Sequence, residues 1–233
     1  MRGFTYLDDR NWIERNILDG FRPVERPISD SQCRKAARWM KGEFGEVMDA
    51  ACEGTPFPAP LLAAMVCQET AYFWLKFIDE VEAGKLLERC VLDASGDAPG
   101  APRNARPRNT REFRRDFGGD FTELLIGEAN ATRAMRGFGP KQWVYKGYGI
   151  FQYDLQFVYD EADFYRNRKW YRFDECLSRA LSELKRKYAI THDLWEAVRA
   201  YNGSGVWAER YRDNVKHFYG ICKDVWQVAP ADA

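Results

Sequence analysis

Apolar positions recur at helical spacing along most of the chain, broken by clusters of glycine and proline. The first such pattern predicts a helix over residues 31–52, stopped at Gly54. Pro56, Pro58 and Pro60 then make a stiff connector, and Pro60 suits the opening position of a second helix over 60–74. That segment, Pro-Leu-Leu-Ala-Ala-Met-Val-Cys-Gln-Glu-Thr-Ala-Tyr-Phe-Trp, is apolar nearly all round, which predicts a central place in the fold. A further helix reaches Cys90, and a loop rich in Gly, Pro, Ala and Arg covers 92–108. Helical spacing resumes over 110–135 with an interruption at Gly118-Gly119, and glycines from Gly137 to Gly149 mark a second loop region. Helices follow over 155–165, 173–188, 192–201 and 206–225, with Thr191 as the expected cap of the third. The expected class is mainly α, with at most a small β-hairpin near 145–153.

Composition narrows the partners. A chain of 233 residues accommodates one sizeable core. Lys+Arg and Asp+Glu balance at 35 each, so no net field draws a polyanion to the whole surface, and nucleic acid is not expected as a partner. Six arginines (103, 106, 108, 111, 114 and 115) nevertheless crowd one stretch, either a solvated face or a grip for carboxylates. Eight Trp and 12 Tyr are an unusual content; most are expected in the core, and a few could line a groove as the flat platforms on which sugar rings stack. The six cysteines (Cys33, Cys52, Cys67, Cys90, Cys176, Cys222) have neither CxxC pairing nor histidines at ligand spacing, so no metal and no other cofactor is expected; a core of this size needs no disulfide, so they read as reduced thiols, with the even count leaving disulfides open. Asp8 and Asp9 stand where an export signal would be apolar, and no run approaches a membrane span. The chain is therefore expected to be made in the cytoplasm without membrane insertion.

Three segments carry candidate chemistry. Gln68-Glu69-Thr70 closes the apolar helix, with Leu62, Met65 and Val66 on the face of Glu69. A carboxyl on a buried face is costly to ionise, which suits a general acid, although a structural pair with an arginine would place a glutamate there equally well. In Gly147-Tyr148-Gly149-Ile150-Phe151-Gln152-Tyr153-Asp154, glycines flanking a tyrosine suit close approach of backbone to a ligand, or a plain turn into a core strand. In Ala200-Tyr201-Asn202-Gly203-Ser204-Gly205, followed by Tyr211-Arg212-Asp213-Asn214-Val215, the Asn-Gly pair ends a helix and two tyrosines have hydroxyls to present.

In this order the three segments resemble the soluble lytic transglycosylases and goose-type lysozymes. That family has a Glu-Ser pair on a core helix, a Gly-x-Gly-Leu-Met-Gln loop and an Ala-Tyr-Asn-Ala-Gly turn followed by tyrosine and valine. The resemblance covers roughly residues 58–76 and 145–220; Thr70 stands for the serine and Phe151 for the methionine. It implies a lysozyme-like domain over 58–225 carrying an insertion at about 77–145, preceded by a helical extension (1–57) and followed by a tail (226–233). It also implies Glu69 as catalytic acid, Tyr148 and Gln152 bordering sugar subsites, and Tyr201, Asn202 and Tyr211 closing the cleft. Asp154 matches an aspartate of the goose-type enzymes and is the candidate second carboxylate.

The implied substrate is the peptidoglycan glycan strand, cut at the β-1,4 bond between N-acetylmuramic acid and N-acetylglucosamine. Attack by the sugar's own C6 hydroxyl gives a 1,6-anhydro product, and attack by water gives a reducing end. Reaching the wall without an export signal calls for a holin or a secretion machine as partner. Two other readings stay open: a glycan-binding module that keeps the scaffold without turnover, and a chitinase-like enzyme acting on another amino-sugar polymer.

Overall fold

Ser29 starts the first helix with a reciprocal cap: its Oγ accepts the Gln32 backbone N–H at 3.3 Å, and Gln32 Oε1 accepts that of Ser29 at 2.9 Å. The computed structural model describes residues 26–228, so Pro23, much of the 1–57 extension and the last five residues of the tail lie outside it. Helix α1 (Asp30–Cys52) ends before Gly54, whose φ of +67° turns the chain. Helix α2 (Ala59–Glu69) starts behind Pro58 and stops at Glu69, because Thr70 leaves the helical region at φ −135°, ψ −15°. The helix expected over 60–74 is thus broken directly after the acid. The Thr70 hydroxyl accepts the Trp74 indole N–H at 3.0 Å, and a short helix α3 (Ala71–Trp74) runs into a 3-10 turn, Leu75–Phe77.

Next come α4 (Ala83–Glu88), strand β1 (Val91–Leu92) and, after the long loop, α5 (Thr110–Phe117) and α6 (Gly119–Met135). Gly118 separates the last two at φ +86°, as the Gly-Gly pair predicts. Strands β2 (Gly147–Tyr148) and β3 (Tyr153–Asp154) form the expected hairpin. Helices α7 (Val158–Arg166), α8 (Phe173–Thr191), α9 (Leu194–Asn202) and α10 (Gly205–Gln227) complete the described chain. The cap of α9 is Asp193 rather than Thr191: its carboxylate accepts the N–H groups of Trp195 and Glu196 at 2.8 and 2.9 Å, whereas Thr191 is still the last residue of α8. The protein is mainly helical, with one small antiparallel sheet. Among the described residues no helix is long and apolar enough to cross a membrane.

The chain divides into two compact units, and it leaves one to build the other before returning. The split unit comprises the described residues up to Glu80 and from Leu177 onward. Its centre is α2, every residue of which is buried, packed against α1 and most extensively against α10. Truncating a fully buried side chain such as Leu62 to alanine costs roughly 2–5 kcal/mol at a site of this kind.

The inserted unit runs from Val81 to Cys176 and includes the glycine-flanked segment. Its sheet has the order β1-β2-β3, with Val91 opposite Tyr148, Leu92 opposite Gly147 and Tyr148 opposite Tyr153. Tyr148 packs edge-on against Tyr165 and Trp170, with ring centroids at 5.1 and 4.9 Å. The loop between Leu92 and Asn109 is tied down by charge. Asp97 accepts the Thr110 backbone N–H at 2.9 Å, the Thr110 hydroxyl at 2.8 Å and the ammonium of the fully buried Lys146 at 2.8 Å. Lys146 donates also to the Val144 carbonyl, and burial lowers its pKa.

Candidate active site

Glu69 is the last residue of α2 and only 3% exposed. The helix places it there because its apolar residues leave no polar face, so a side chain at any position of α2 is carried inward. Helix α9 ends at Asn202, and Gly203, at φ +121°, lets the chain turn into α10. Two turns along α10, Tyr211 is buried beside the acid. Its hydroxyl is sealed from solvent and interacts with the Glu69 carboxyl without completing a hydrogen bond of standard geometry. Burial first, then the charges of Glu69 and Tyr201, push the Tyr211 phenol well above the usual tyrosine range. The phenol therefore stays neutral near pH 7 and is an O–H donor beside a carboxyl.

Tyr201 lies nearly parallel to Tyr211, the ring centroids 6.4 Å apart at 20°. Tyr201 and Asn202 are half-buried. Among the described residues, further buried polar atoms of the split unit lack a hydrogen-bond partner: Gln68 Oε1, Arg210 Nη1 and Asn214 Nδ2. Trp207 begins the same stripe of α10, four residues before Tyr211, and it is 37% exposed with the Arg210 guanidinium 5.2 Å from its ring centre. Sequence reading passes over Trp207. The signal available is its four-residue spacing from Tyr211 within the helix expected over 206–225.

The candidate residues of the inserted unit sit differently. Tyr148 is fully buried, and its hydroxyl has no hydrogen-bond partner among the described residues. Gln152 adopts φ +54° and braces the hairpin: its Nε2 donates to the carbonyls of Gly149 at 2.8 Å and Cys90 at 3.2 Å. The close approach that the glycines permit is to the protein's own side chains. A Cβ on Gly147 would lie 2.2 Å from Gln152 Oε1, and one on Gly149, at φ +76°, would lie 2.4 Å from Cys176 Sγ. Asp154 is clamped by Arg103, with Nη1 to Oδ2 at 3.0 Å and Nη2 to Oδ1 at 2.5 Å, and it also accepts the Gln156 backbone N–H.

No family model matches the chain, and no curated protein or solved structure matches it either.

The arginine cluster is largely paired within its own unit. Glu112 receives Arg106, Arg108 and Arg115, Asp116 receives Arg106 and Arg115, and Arg114 pairs with Glu123. Arg103, Arg108, Arg111 and Arg115 line a cavity of about 720 Å³ together with Glu112, which supplies counter-charge inside it. All six cysteines are free and buried. Three of them, Cys33, Cys67 and Cys222, converge in the split unit from α1, α2 and α10. Spacing along the chain carries no sign of this, because each comes from a different helix.

Proposed function

We propose that this chain cleaves peptidoglycan glycan strands as a lysozyme-like lytic transglycosylase, with Glu69 as its acid and base. The observation that carries the reading is the carboxyl of Glu69, withdrawn from water at the end of a wholly buried helix beside the neutral phenol of Tyr211. Its further support is the order of the three sequence segments, which resembles that family.

In this reading Glu69 donates its proton to the glycosidic oxygen as the bond to the muramic acid C1 breaks, and positive charge develops at that carbon. The Tyr211 hydroxyl steadies the carboxylate left behind. Glu69 then takes the proton of the attacking hydroxyl, which regenerates the acid. Tyr201 and Asn202 border the reacting sugar, and Trp207 offers an exposed aromatic face for a neighbouring ring.

The attacking hydroxyl is best assigned to the sugar's own C6. Hydrolysis with a second carboxylate needs a free base to hold water, and the candidate, Asp154, has both oxygens committed to Arg103. The attack then needs no base beyond Glu69 and leaves a 1,6-anhydro end.

Mass spectrometry of purified sacculi digested with the protein tests it. The expected result is 1,6-anhydromuropeptides from the wild type and none from Glu69→Gln. Sacculi bound without any product would select the binding-module reading, and turnover of chitin oligosaccharides alone would select the other polymer.

A further inference from the structure

Cys33, Cys67 and Cys222 are each fully buried, and their three sulfurs lie within 4.8 Å of one another, with Cys33 and Cys67 at 3.7 Å. A thiol that only fills core volume behaves as a small hydrophobe and needs no second sulfur beside it, still less two brought from separate helices. The 3.7 Å contact is well beyond the roughly 2 Å of a disulfide. It is close to the edge of a triangle whose corners are about 2.3 Å from its centre, the usual distance from a thiolate to a metal.

From this geometry we infer that Cys33, Cys67 and Cys222 form a binding site for one soft, thiophilic metal ion held by three sulfurs, of the class of monovalent copper. Among the described residues the donor group contains no histidine and no carboxylate. His217, the histidine closest in the chain to Cys222, has its Nε2 on Asp30 at 2.8 Å. Zinc favours a fourth donor, which this set does not supply, whereas soft thiolate ligands alone suit monovalent copper. Binding exchanges thiol protons for the cation: each sulfur that ligates as a thiolate releases one proton to the buffer, and copper stays monovalent with no electron transferred. The ion would pin α1, α2 and α10 to one another at the centre of the split unit. This inference is independent of the glycan-cleaving reading.

The test uses the full chain, purified with a non-thiol reductant and loaded with Cu(I) alone under anaerobic conditions. One copper per chain should survive desalting, and X-ray absorption should show a sulfur-only shell of three ligands at about 2.3 Å. Cys33→Ala and Cys222→Ala should each bind copper at least a hundredfold more weakly, while Cys52→Ala, outside the cluster, should bind as the wild type does. Absence of retained copper in the folded wild-type chain would overturn the assignment. Nitrogen or oxygen in the shell, displacement of copper by equimolar zinc, or unchanged binding in both cluster variants would do the same. The X-ray absorption measurement needs no variant, so the test survives if an alanine variant fails to fold.

Discussion

Arg103 reaches across 51 positions of chain to hold both oxygens of Asp154, and the backbone N–H of Gln156 adds a third hydrogen bond to the same carboxylate. The guanidinium is almost fully buried, its side chain 7% exposed, while that of Asp154 is 32% exposed. A carboxylate so engaged orders the start of the 3-10 turn after β3 and is poorly placed to take a proton from water. Asp154→Asn should therefore keep glycan cleavage within a few-fold and leave the product unchanged. Glu69→Gln should lose at least about a hundredfold. Muropeptide analysis of both variants checks the contrast, and a hydrolytic product from the wild type that disappears in Asp154→Asn would reverse the assignment. Arg103→Ala should lower stability by about 2 kcal/mol, less than for a sealed pair because Asp154 retains water; urea unfolding measures it.

The tyrosine and tryptophan on one stripe of α10 should separate kinetically. Tyr211→Phe removes only the hydroxyl beside Glu69 and should lower kcat about tenfold with KM little changed. Trp207→Ala removes an exposed ring and should raise KM for long glycan strands with kcat preserved. Steady-state assays on strands of defined length read both effects. Equal losses in the two variants would deny them separate roles.

Gly149→Ala should destabilise the protein by about 1–3 kcal/mol, because the new methyl meets Cys176 Sγ and the residue sits at positive φ. The three atoms nearest a methyl at Gly147 all belong to the Gln152 side chain. The cost of Gly147→Ala should therefore shrink when Gln152→Ala is present, and a double-mutant cycle on thermal unfolding should show coupling of at least about 0.5 kcal/mol. Strict additivity would mean that the two residues do not share this space.

Lys146 and Asp97 form a buried ion pair, their side chains 0% and 10% exposed. Asp97→Ala leaves the ammonium with only the Val144 carbonyl and should cost about 3–5 kcal/mol. Replacing both, as in Lys146→Met with Asp97→Ala, should recover part of that loss. Chemical denaturation of the single and double variants decides whether charge or shape dominates.

Glu112 sets an acid limit. The Arg108 backbone N–H first, and then the Arg108 and Arg106 guanidiniums, hold its carboxyl down to about 2. A group whose folded value is depressed stabilises the fold fully above its unfolded value of 4.5 and loses that contribution as pH falls toward 2. Wild-type stability should accordingly decline from about pH 5 downward, and Glu112→Gln should flatten that part of the curve, as followed by thermal melts between pH 5 and pH 2.

The mainly helical character was legible because helical periodicity extends over many residues and averages out local exceptions. The interior place of α2 followed from its lack of any polar face, and the division between α5 and α6 from Gly118. The hairpin was legible from its glycines, but β1 was not: two residues, Val91 and Leu92, are too few to display a period, and only pairing with β2 makes them a strand. The break at Thr70 escaped notice because threonine is tolerated in helices, and what ends α2 there includes a hydroxyl accepting the Trp74 indole.

What the chain determined alone was local: which segments coil, which faces are apolar, and that a glutamate must travel inward with α2. What required the tertiary structure was which distant side chains meet. Tyr211 beside Glu69, Arg103 on Asp154, Asp97 on Lys146, and three thiols from three helices are all products of packing. Side-chain chemistry is written in each residue, but the energy of a charge or a sulfur depends on its neighbours within a few ångströms, and those neighbours are chosen by the fold.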